Sequence, residues 1–473
     1  MTLRAAIALA LLAVPACAPK ARYEPPPPAA VPSFKEIENW KSPQPRDADV
    51  RGAWWDLFAD PALAALELRI DVSNQTLKAA DAQFAQARAT LRGARANLYP
   101  QVVGAPAVTA GRPSASRATA SFHDTYADIV LPIDASYEAD VWGRLHGIVE
   151  ANRTAAQATA ADLETARLSV HAELAIDYFA LRGLDREQEI LNSAVDAYAQ
   201  ALELTQNRFR GGLASGADVA QAETQLETTR VQAVDVGVQR AALEHAIALL
   251  VGEPASTFRL PVSPLAGAPP DVPIGVPSDL LERRADIASA ERRLASAFAQ
   301  VGVTEAAFYP VLTLSGTVGF ESSSFGNLLK TASSFWSVGP VALINVLDFG
   351  RRRAANAQAR AGYDETTAAY RETVLAAFRE VEDQLAALRV LEEEAAIQDR
   401  AVAAAQRSLT LANNRYRGGV ASYLEVITAQ SFALTNERAA VSLLTRRMTA
   451  TVLLLKGLGG DWRAATLPAL ASP

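Results

Sequence analysis

The amino-acid sequence predicts a mainly α-helical protein that is built from two copies of one unit, each with a pair of β-strands of bilayer length. The duplication is visible at residues 207–215, NRFRGGLAS, which return 207 positions later as NRYRGGVAS at residues 414–422. The strands follow from segments in which apolar and polar side chains alternate, and the helices from long stretches with apolar residues every three or four positions. Both halves are therefore expected to contain the same elements in the same order.

The chain of 473 residues begins with the pattern of a secretory signal peptide, which we place at residues 1–16. Arg4 is followed by a short apolar run and a small residue, and the run is shorter than the roughly 20 residues that a helix needs to span a bilayer. Residues 17–52 are rich in proline and are predicted to form an extended tether.

Cys17, the single cysteine of the sequence, directly follows the predicted signal peptide, so an intramolecular disulfide cannot form. The preceding letters VPA make the site resemble a bacterial lipobox, in which the cysteine carries lipid, although Pro15 departs from the usual pattern. The resemblance implies that Cys17 is lipidated and anchors the chain, with about 0.8 kcal/mol from each buried methylene. The alternative is a cysteine without a role in a discarded peptide.

Composition and motif content argue against nucleic-acid binding and against catalysis. The formal net charge of -7 differs from the basic surfaces that usually bind phosphate. The glycine-rich residues 457–460 follow a helix, so they are interpreted as a helix stop and not as a phosphate-binding loop. The histidines show no metal-binding or triad-like spacing and are interpreted as surface or packing residues. They are His123, His146, His171 and His245. We therefore expect no enzyme activity, no cofactor and no metal site.

Each half contains one clear strand and a less regular partner, at about residues 101–140 in the first half and 311–348 in the second. In the first clear strand, Ile129 and Leu131 lie on one face and Asp134 on the other. Strands of about 9 to 11 tilted residues can cross a bilayer, and a half-buried soluble sheet is the alternative. Four strands are too few to close a barrel, whose smallest common size is about eight, so membrane strands would require several copies of the chain.

The rest of each half is predicted to be a hairpin of two long helices, at about residues 144–252 and 350–457. Apolar residues recur in steps of three and four, as at Val374, Phe378 and Val381, which is the spacing of a heptad seam. A continuous helix from residue 144 to the double glycine would be on the order of 100 Å long. Each such helix is expected to end at its Gly-Gly pair, because glycine adopts the left-handed conformation that ends a helix.

A shorter helix is expected before each strand pair, from Pro61 to about Asn97 and from Leu280 to about Ala307. Ser278 and Asp279 are predicted to cap the second one. The predicted domains are residues 53–254 for the first repeat, 255–276 for a Pro-rich linker, 277–460 for the second repeat and 461–473 for a C-terminal tail.

Several further segments carry a family resemblance. They are WWDLFADP at residues 54–61, YEADVWGR at 137–144, PSDLLERRADI at 277–287, LGGDW at 458–462 and the two Arg-Gly-Gly turns. Together they make the mature chain, nearly end to end, resemble the TolC-like outer-membrane efflux family, in its lipoprotein branch often called NodT-type.

The resemblance implies a homotrimer in which each protomer gives four strands to one 12-stranded outer-membrane β-barrel, continued by an α-helical barrel across the periplasm. It implies a passive exit duct of a tripartite efflux complex, which passes small molecules such as drugs from an inner-membrane RND-type pump and a periplasmic adaptor. The expected location is the outer membrane, with a lipid anchor. The hairpin tips that would contact the adaptor are at Gly211, Gly212, Gly418 and Gly419.

The same resemblance places a periplasmic gate near the tips. Asp218 and Tyr416 occupy the positions of a lock between the two hairpins, and Glu425 occupies the position of an acidic ring. The sequence departs from the family at Thr428, where a second acidic ring residue is expected, and at Ala421, where a latch arginine is expected. A weaker lock and a less negative constriction are the consequence.

Two other interpretations remain open at this point. A periplasmic coiled-coil scaffold, tethered through lipid, would explain the heptads but would leave the bilayer-length strand pairs unexplained. Within the duct class, a channel for type I protein secretion would share the same architecture.

Overall fold

The computed structural model describes residues 23–27, 34–37, 53–114, 125–272, 282–460 and 462–470. The predicted signal peptide, Cys17, most of the tether and the Ser278-Asp279 cap lie outside the described residues.

Long helices dominate the described part of the chain, in two sets of equal length. The helices are α1 Pro61–Ser73, α2 Gln75–Ala96, α3 Arg144–Arg210, α4 Gly216–Leu250, α5 Ala285–Ala306, α6 Arg351–Arg417 and α7 Tyr423–Gly457. Helices α3 and α6 have 67 residues each, α4 and α7 have 35, and α2 and α5 have 22. The predicted duplication and the two long helical hairpins are confirmed. None of the helices in the described ranges combines the length and the apolar character that a bilayer crossing demands.

The predicted helix from Pro61 to about Asn97 is wrong in one respect, because Asn74 divides it into α1 and α2. Asn74 has an extended backbone and its side chain accepts a hydrogen bond from the Leu77 N–H at 3.0 Å, so it caps α2. Its amide also donates to the Leu250 carbonyl at 2.7 Å, at the end of α4. The break therefore fixes α1 and α2 to the end of the first hairpin.

The predicted start of the second short helix at Leu280 lies outside the described residues, and the predicted helix is interrupted: residues 282–283 are helical, Arg284 is extended, and α5 begins at Ala285. The Arg284 guanidinium is nearly buried and donates to the Gly457 carbonyl at 2.9 Å and to the Glu380 carboxylate at 2.9 Å. It also donates to both carboxylate oxygens of Asp286. A buried guanidinium needs such acceptors, and the extended backbone at Arg284 brings it to them.

Five strand segments form one antiparallel sheet. They are β1 Gln101–Gly104, β2 Ala107–Gly111, β3 Tyr126–Glu138, β4 Val311–Ser322 and β5 Ser334–Leu343. The order is β1-β3-β4-β5, and β2 also pairs with β3, so β1 and β2 form one edge strand. The interruption falls at Pro106, which has no N–H to donate. The four predicted strand positions, two from each repeat, are confirmed, and β3 pairs with β4 to join the repeats.

The two faces of the sheet differ in polarity. Ile133, Val318 and Trp336 lie opposite one another on three neighbouring strands and are 53%, 54% and 76% exposed. On the other face, the Thr317 hydroxyl donates to the Asp134 carboxylate at 2.6 Å. A single protomer thus presents an apolar sheet face to its surroundings, and within the described residues β5 and the β1–β2 strand are the open edges of its sheet.

The strands meet the long helices at two similar corners. Gly143 and Gly350 begin α3 and α6 with φ angles of 75° and 90°, which glycine adopts at little cost. The Trp142 indole donates to the Pro310 carbonyl at 2.8 Å and stacks on Tyr309 with ring centroids 4.7 Å apart. The corner of the first repeat is thereby fixed to the junction between α5 and β4 in the second.

Helix α7 joins the two main apolar cores. Its Met448 and Val452 pack with residues of α1, α3 and α4, whereas its Leu443 and Leu454 pack with residues of α5 and α6. The second repeat therefore contributes, through α7, to the core of the first.

A short N-terminal segment is attached to the second repeat. Phe34 is buried in the second core, and the backbone N–H groups of Lys35 and Glu36 donate to the Glu382 carboxylate at 2.7 and 3.0 Å. Residues 34–37 therefore lie against α6.

Candidate functional site at the hairpin tips

The two hairpin turns have the same backbone. Gly212 and Gly419 both have a φ of +74°, where a residue with a side chain is strained. The Leu213 and Val420 side chains follow them and are 73% and 70% exposed. The predicted tip residues Gly211, Gly212, Gly418 and Gly419 all lie in these turns. Each tip therefore ends in a tight, small turn with one exposed apolar side chain.

The tips of the two hairpins pack against each other through a small apolar core. It contains Ala222, Ala412, Tyr416, Tyr423, Val426 and Ala429. The rings of Tyr416 and Tyr423 are 5.3 Å apart, and both side chains are buried. The Tyr423 hydroxyl is buried without a hydrogen-bond partner, and burial raises the pKa of Tyr423 to about 12. Tyr423 is thus an uncharged packing residue between the tips.

Arg208 reaches from the first hairpin to the second. Its Nη1 donates to the backbone carbonyl of Tyr416 at 2.6 Å, and its guanidinium lies 4.5 Å from the centre of the Tyr416 ring. The Tyr416 hydroxyl donates to the Thr205 hydroxyl at 3.3 Å. Tyr416 is therefore held by two residues of α3.

The structure does not join Tyr416 to Asp218, although the family resemblance implied a direct lock between them. The Asp218 carboxylate accepts hydrogen bonds from the Ser215 N–H and hydroxyl, both at 2.9 Å, and the Ser215 hydroxyl accepts one from the Asp218 N–H at 3.2 Å. This capping box at the start of α4 occupies Asp218, while the Tyr416 hydroxyl points to Thr205. A role for either residue in a gate stays a prediction.

Glu425 lies in the first turn of α7, near the second tip. Its carboxylate is 3.2 Å from Nη1 of Arg415, and the two side chains are 40% and 56% exposed. Thr428, at the second ring position, donates its hydroxyl to the Leu424 carbonyl of its own helix. The Glu425 charge is therefore paired with a cation within the same hairpin, which the sequence did not reveal.

Sequence analysis missed three of the residues that shape this site: Arg208, Arg415 and Tyr423. The two arginines were visible as part of the repeated motif, but their different partners were not. Tyr423 lies 207 positions after Gly216. A large aromatic residue in one copy and a glycine in the other was a signal that the two tips differ.

A buried polar group lies far from the tips, between α1 and α3. The His171 ring is 2.6 Å from the Glu67 carboxylate and stacks on Trp55 with centroids 4.7 Å apart. Burial is the main cause that raises the pKa of Glu67 to about 7. No group of three or more potential metal ligands occurs in the part of the chain that the structure describes. His171 is thus a packing residue of the first core.

Comparison with known proteins agrees with this architecture. The profile of the outer membrane efflux protein family matches residues 69–253 and 276–460, so each repeat matches separately. The pyoverdine export outer membrane protein OpmQ of Pseudomonas aeruginosa is 30% identical over 423 residues, which cover 88% of this chain and 89% of OpmQ. The toluene efflux pump outer membrane protein TtgF of Pseudomonas putida is 31% identical over 425 residues, which cover 89% of this chain and 87% of TtgF.

Solved structures give the same result. A structure of the outer-membrane channel OprN superposes with a TM-score of 0.87 at 28% identity, covering 93% of this chain and 98% of that one. The similarity therefore includes the sheet, the helical hairpins and the order of both repeats.

Proposed function

Because this chain belongs to the outer membrane efflux protein family, we propose that it is the outer-membrane exit duct of a tripartite efflux complex. The observation that carries the proposal is the sheet with one exposed apolar face and one polar face. Its apolar row, Ile133, Val318 and Trp336, would face lipid, and the row with Asp134 and Thr317 would face a water-filled lumen.

The open sheet edges support a trimer. Backbone N–H and C=O groups at a strand edge cannot stay unpaired in the hydrocarbon region, so the edges must pair with other chains. In a homotrimer, β5 of one protomer pairs with the β1–β2 strand of the next, which gives a closed barrel of 12 strands. Four strands for each protomer then suffice.

The helical hairpins supply the length that the periplasmic part of a duct needs. A helix of 67 residues is about 100 Å long at 1.5 Å per residue. The tips would then lie far from the outer membrane, facing a periplasmic adaptor and an inner-membrane pump of the RND type. The exposed Leu213 and Val420 beside the small glycine turns are suited to contact with apolar side chains of the adaptor.

We propose that the pump, and not the duct, selects the exported substrate. The names of two relatives of similar identity refer to different substrates, pyoverdine and toluene. We propose that this chain conducts small molecules in general. We further propose that its gate contains Asp218, Tyr416 and Glu425.

A lipid anchor at Cys17 is compatible with the attachment of the N-terminal segment. The Tyr23 ring lies 5.6 Å from Phe298 on α5, and its hydroxyl donates to the Glu291 carbonyl. Helix α5 ends at Ala306, five residues before β4 begins. Five residues lie between Cys17 and Tyr23, so their Cα atoms are at most about 20 Å apart, which suffices for a lipidated Cys17 to reach the bilayer near the strands. Mass spectrometry of the mature N-terminus tests this assignment.

A pair of neighbouring substitutions tests the proposed function. Trp336→Lys places a cation on the face assigned to lipid, where it would cost about 2–4 kcal/mol near the bilayer centre. Ser337→Lys, one residue away on the opposite face, is the matched control. We expect Trp336→Lys to reduce the amount of trimer in outer-membrane fractions and Ser337→Lys to leave it near the wild-type level. Equal recovery of both variants, or a wild-type protein that forms no pores in planar bilayers, would contradict the proposal.

A further inference from the structure

Arg208 makes a polar contact between the two hairpins directly at their tips. Besides its hydrogen bond to the Tyr416 carbonyl at 2.6 Å, its Nη2 lies 3.8 Å from the point that a Cβ on Gly419 would occupy. Its Nε is buried without a hydrogen-bond partner. The guanidinium of the first hairpin is therefore inserted into the turn of the second.

The Tyr416 carbonyl, which accepts the hydrogen bond from Arg208, is well suited to a cationic donor. The Tyr416 carbonyl lies in the last turn of α6, which ends at Arg417, and it also accepts the Gly419 N–H at 3.0 Å. The carboxyl end of a helix carries partial negative charge, which a cation stabilises. The Tyr416 ring adds a cation–π contact at 4.5 Å. Arg208 thus caps a helix that belongs to the other hairpin.

The equivalent arginine of the second repeat makes a different contact. Arg415 occupies the position of Arg208 in the second copy, but it contacts Glu425 in its own hairpin. Other polar contacts between α3 and the second hairpin lie farther from the turns, as from the Tyr198 hydroxyl to the Gln430 carbonyl at 3.3 Å and between Glu187 and Arg438 at 2.5 Å. Glu187 lies 23 residues before the end of α3, which is about 34 Å along the helix. At the tips themselves, the polar contacts between hairpins come from Arg208 and Thr205.

We propose that Arg208 is the residue that holds the two hairpin tips together at the entrance of the duct, in place of a direct bond between Tyr416 and Asp218. The inference rests on the proposed function, because only in a duct do the tips form an entrance. Arg208 is a positioning residue: it acts by fixing the end of α6, and with it the start of α7, against α3.

The test compares Arg208→Met with Arg208→Lys in the purified trimer in planar bilayers. Methionine keeps the length of the side chain but can neither donate to the Tyr416 carbonyl nor stack as a cation. We expect the mean conductance to rise about tenfold, since a hydrogen bond from a charged group is lost. Lysine keeps the charge and a donor but not the planar guanidinium that stacks on the Tyr416 ring, so its conductance should rise by less, about threefold.

Arg210→Met is the matched control, because Arg210 lies in the same turn, is exposed and bonds to Asn207 of its own helix. Its conductance should equal that of the wild type. An Arg208→Met trimer whose conductance matches that of Arg210→Met would overturn the proposal. If Arg208→Met does not assemble into a trimer, Arg208→Gln is measured in its place. We expect its conductance to rise clearly above that of the wild type, and an unchanged conductance would contradict the role of Arg208.

A second readout does not depend on conduction. Spin labels at Leu213→Cys and Val420→Cys, in a Cys17→Ser chain diluted with unlabelled chain, report the separation of the two tips within a protomer. We expect a longer and broader distance distribution in Arg208→Met than in Arg208→Lys. A wild type that forms no pores would contradict the proposed duct alone, whereas identical distance distributions would contradict the role of Arg208 alone.

Discussion

The contact between Arg415 and Glu425 changes what removal of the Glu425 charge should do. The sequence predicts a ring of negative charge, so that Glu425→Gln would only weaken cation selectivity. In the structure each Glu425 carboxylate lies 3.2 Å from an arginine, and the pair has no net charge. Glu425→Gln therefore leaves one unpaired cation in each protomer of the proposed trimer, and Arg415→Gln leaves one unpaired anion.

The magnitude follows from distance and exposure. At 3.2 Å in water, two unit charges attract by about 1 kcal/mol, and exposed pairs of this kind contribute about 0–1 kcal/mol to stability. Neither substitution should affect folding much. In the proposed trimer, Glu425→Gln and Arg415→Gln differ by two unit charges in each protomer at the narrow entrance. All other charges are the same in the two variants, so they do not affect the comparison.

The assay is the reversal potential in planar bilayers under a tenfold KCl gradient, for which an ideally selective pore gives about 59 mV. We expect Arg415→Gln to shift the potential towards cation selectivity and Glu425→Gln to shift it towards anion selectivity, with a difference on the order of 20 mV that shrinks at high salt. Arg400→Gln is the control for the loss of a cation, since Arg400 lies 15 residues before Arg415 on α6, about 22 Å away. Equal potentials for the Glu425 and Arg415 variants would refute the reasoning.

Two further predictions concern stability, measured as thermal midpoints in detergent at fixed protomer concentration. Burial raises the pKa of Glu67 from 4.5 to about 7. The contribution of protonated Glu67 to the free energy of unfolding is therefore fully present below about pH 4.5. This contribution, at most about 3 kcal/mol, is lost as the pH rises through 7. Glu67→Gln should therefore stabilise the protein more at pH 8 than at pH 5, and a pH-independent effect would contradict this. A Cβ on Gly459, whose φ is +90°, would lie 2.1 Å from the Arg283 carbonyl, whereas Gly350 has the same φ and open space around it. Gly459→Ala should cost at least about 2 kcal/mol more than Gly350→Ala, and similar midpoints would show that the loop shifts without cost.

The elements that could be predicted from the sequence are those fixed by local signals. The ends of α3 and α6 follow from the double glycines, because the second glycine of each pair adopts the left-handed conformation. The strands follow from alternation, because a sheet with one apolar and one polar face requires it. The equal lengths of the repeated helices follow from the constant offset of the motif.

The elements that could not be predicted depend on distant partners. Asn74 breaks a helix because its amide donates to the Leu250 carbonyl, 176 residues away. Arg284 leaves the helical conformation to reach the Gly457 carbonyl, 173 residues away. Local propensity cannot show such partners, so the sequence suggested continuous helices at both places.

The unequal use of the repeated arginines has a cause in the residues around them. Thr205 and Tyr416 meet between the hairpins, but their counterparts are Ala412 and Phe209, which cannot form the same hydrogen bond. Gly216 brings no side chain to the start of α4, whereas Tyr423 fills the core at the start of α7. The first copy can therefore only reach into the second, and not the reverse. In the proposed trimer the two kinds of hairpin alternate around the ring, and this one-way contact lies between the two hairpins of one chain.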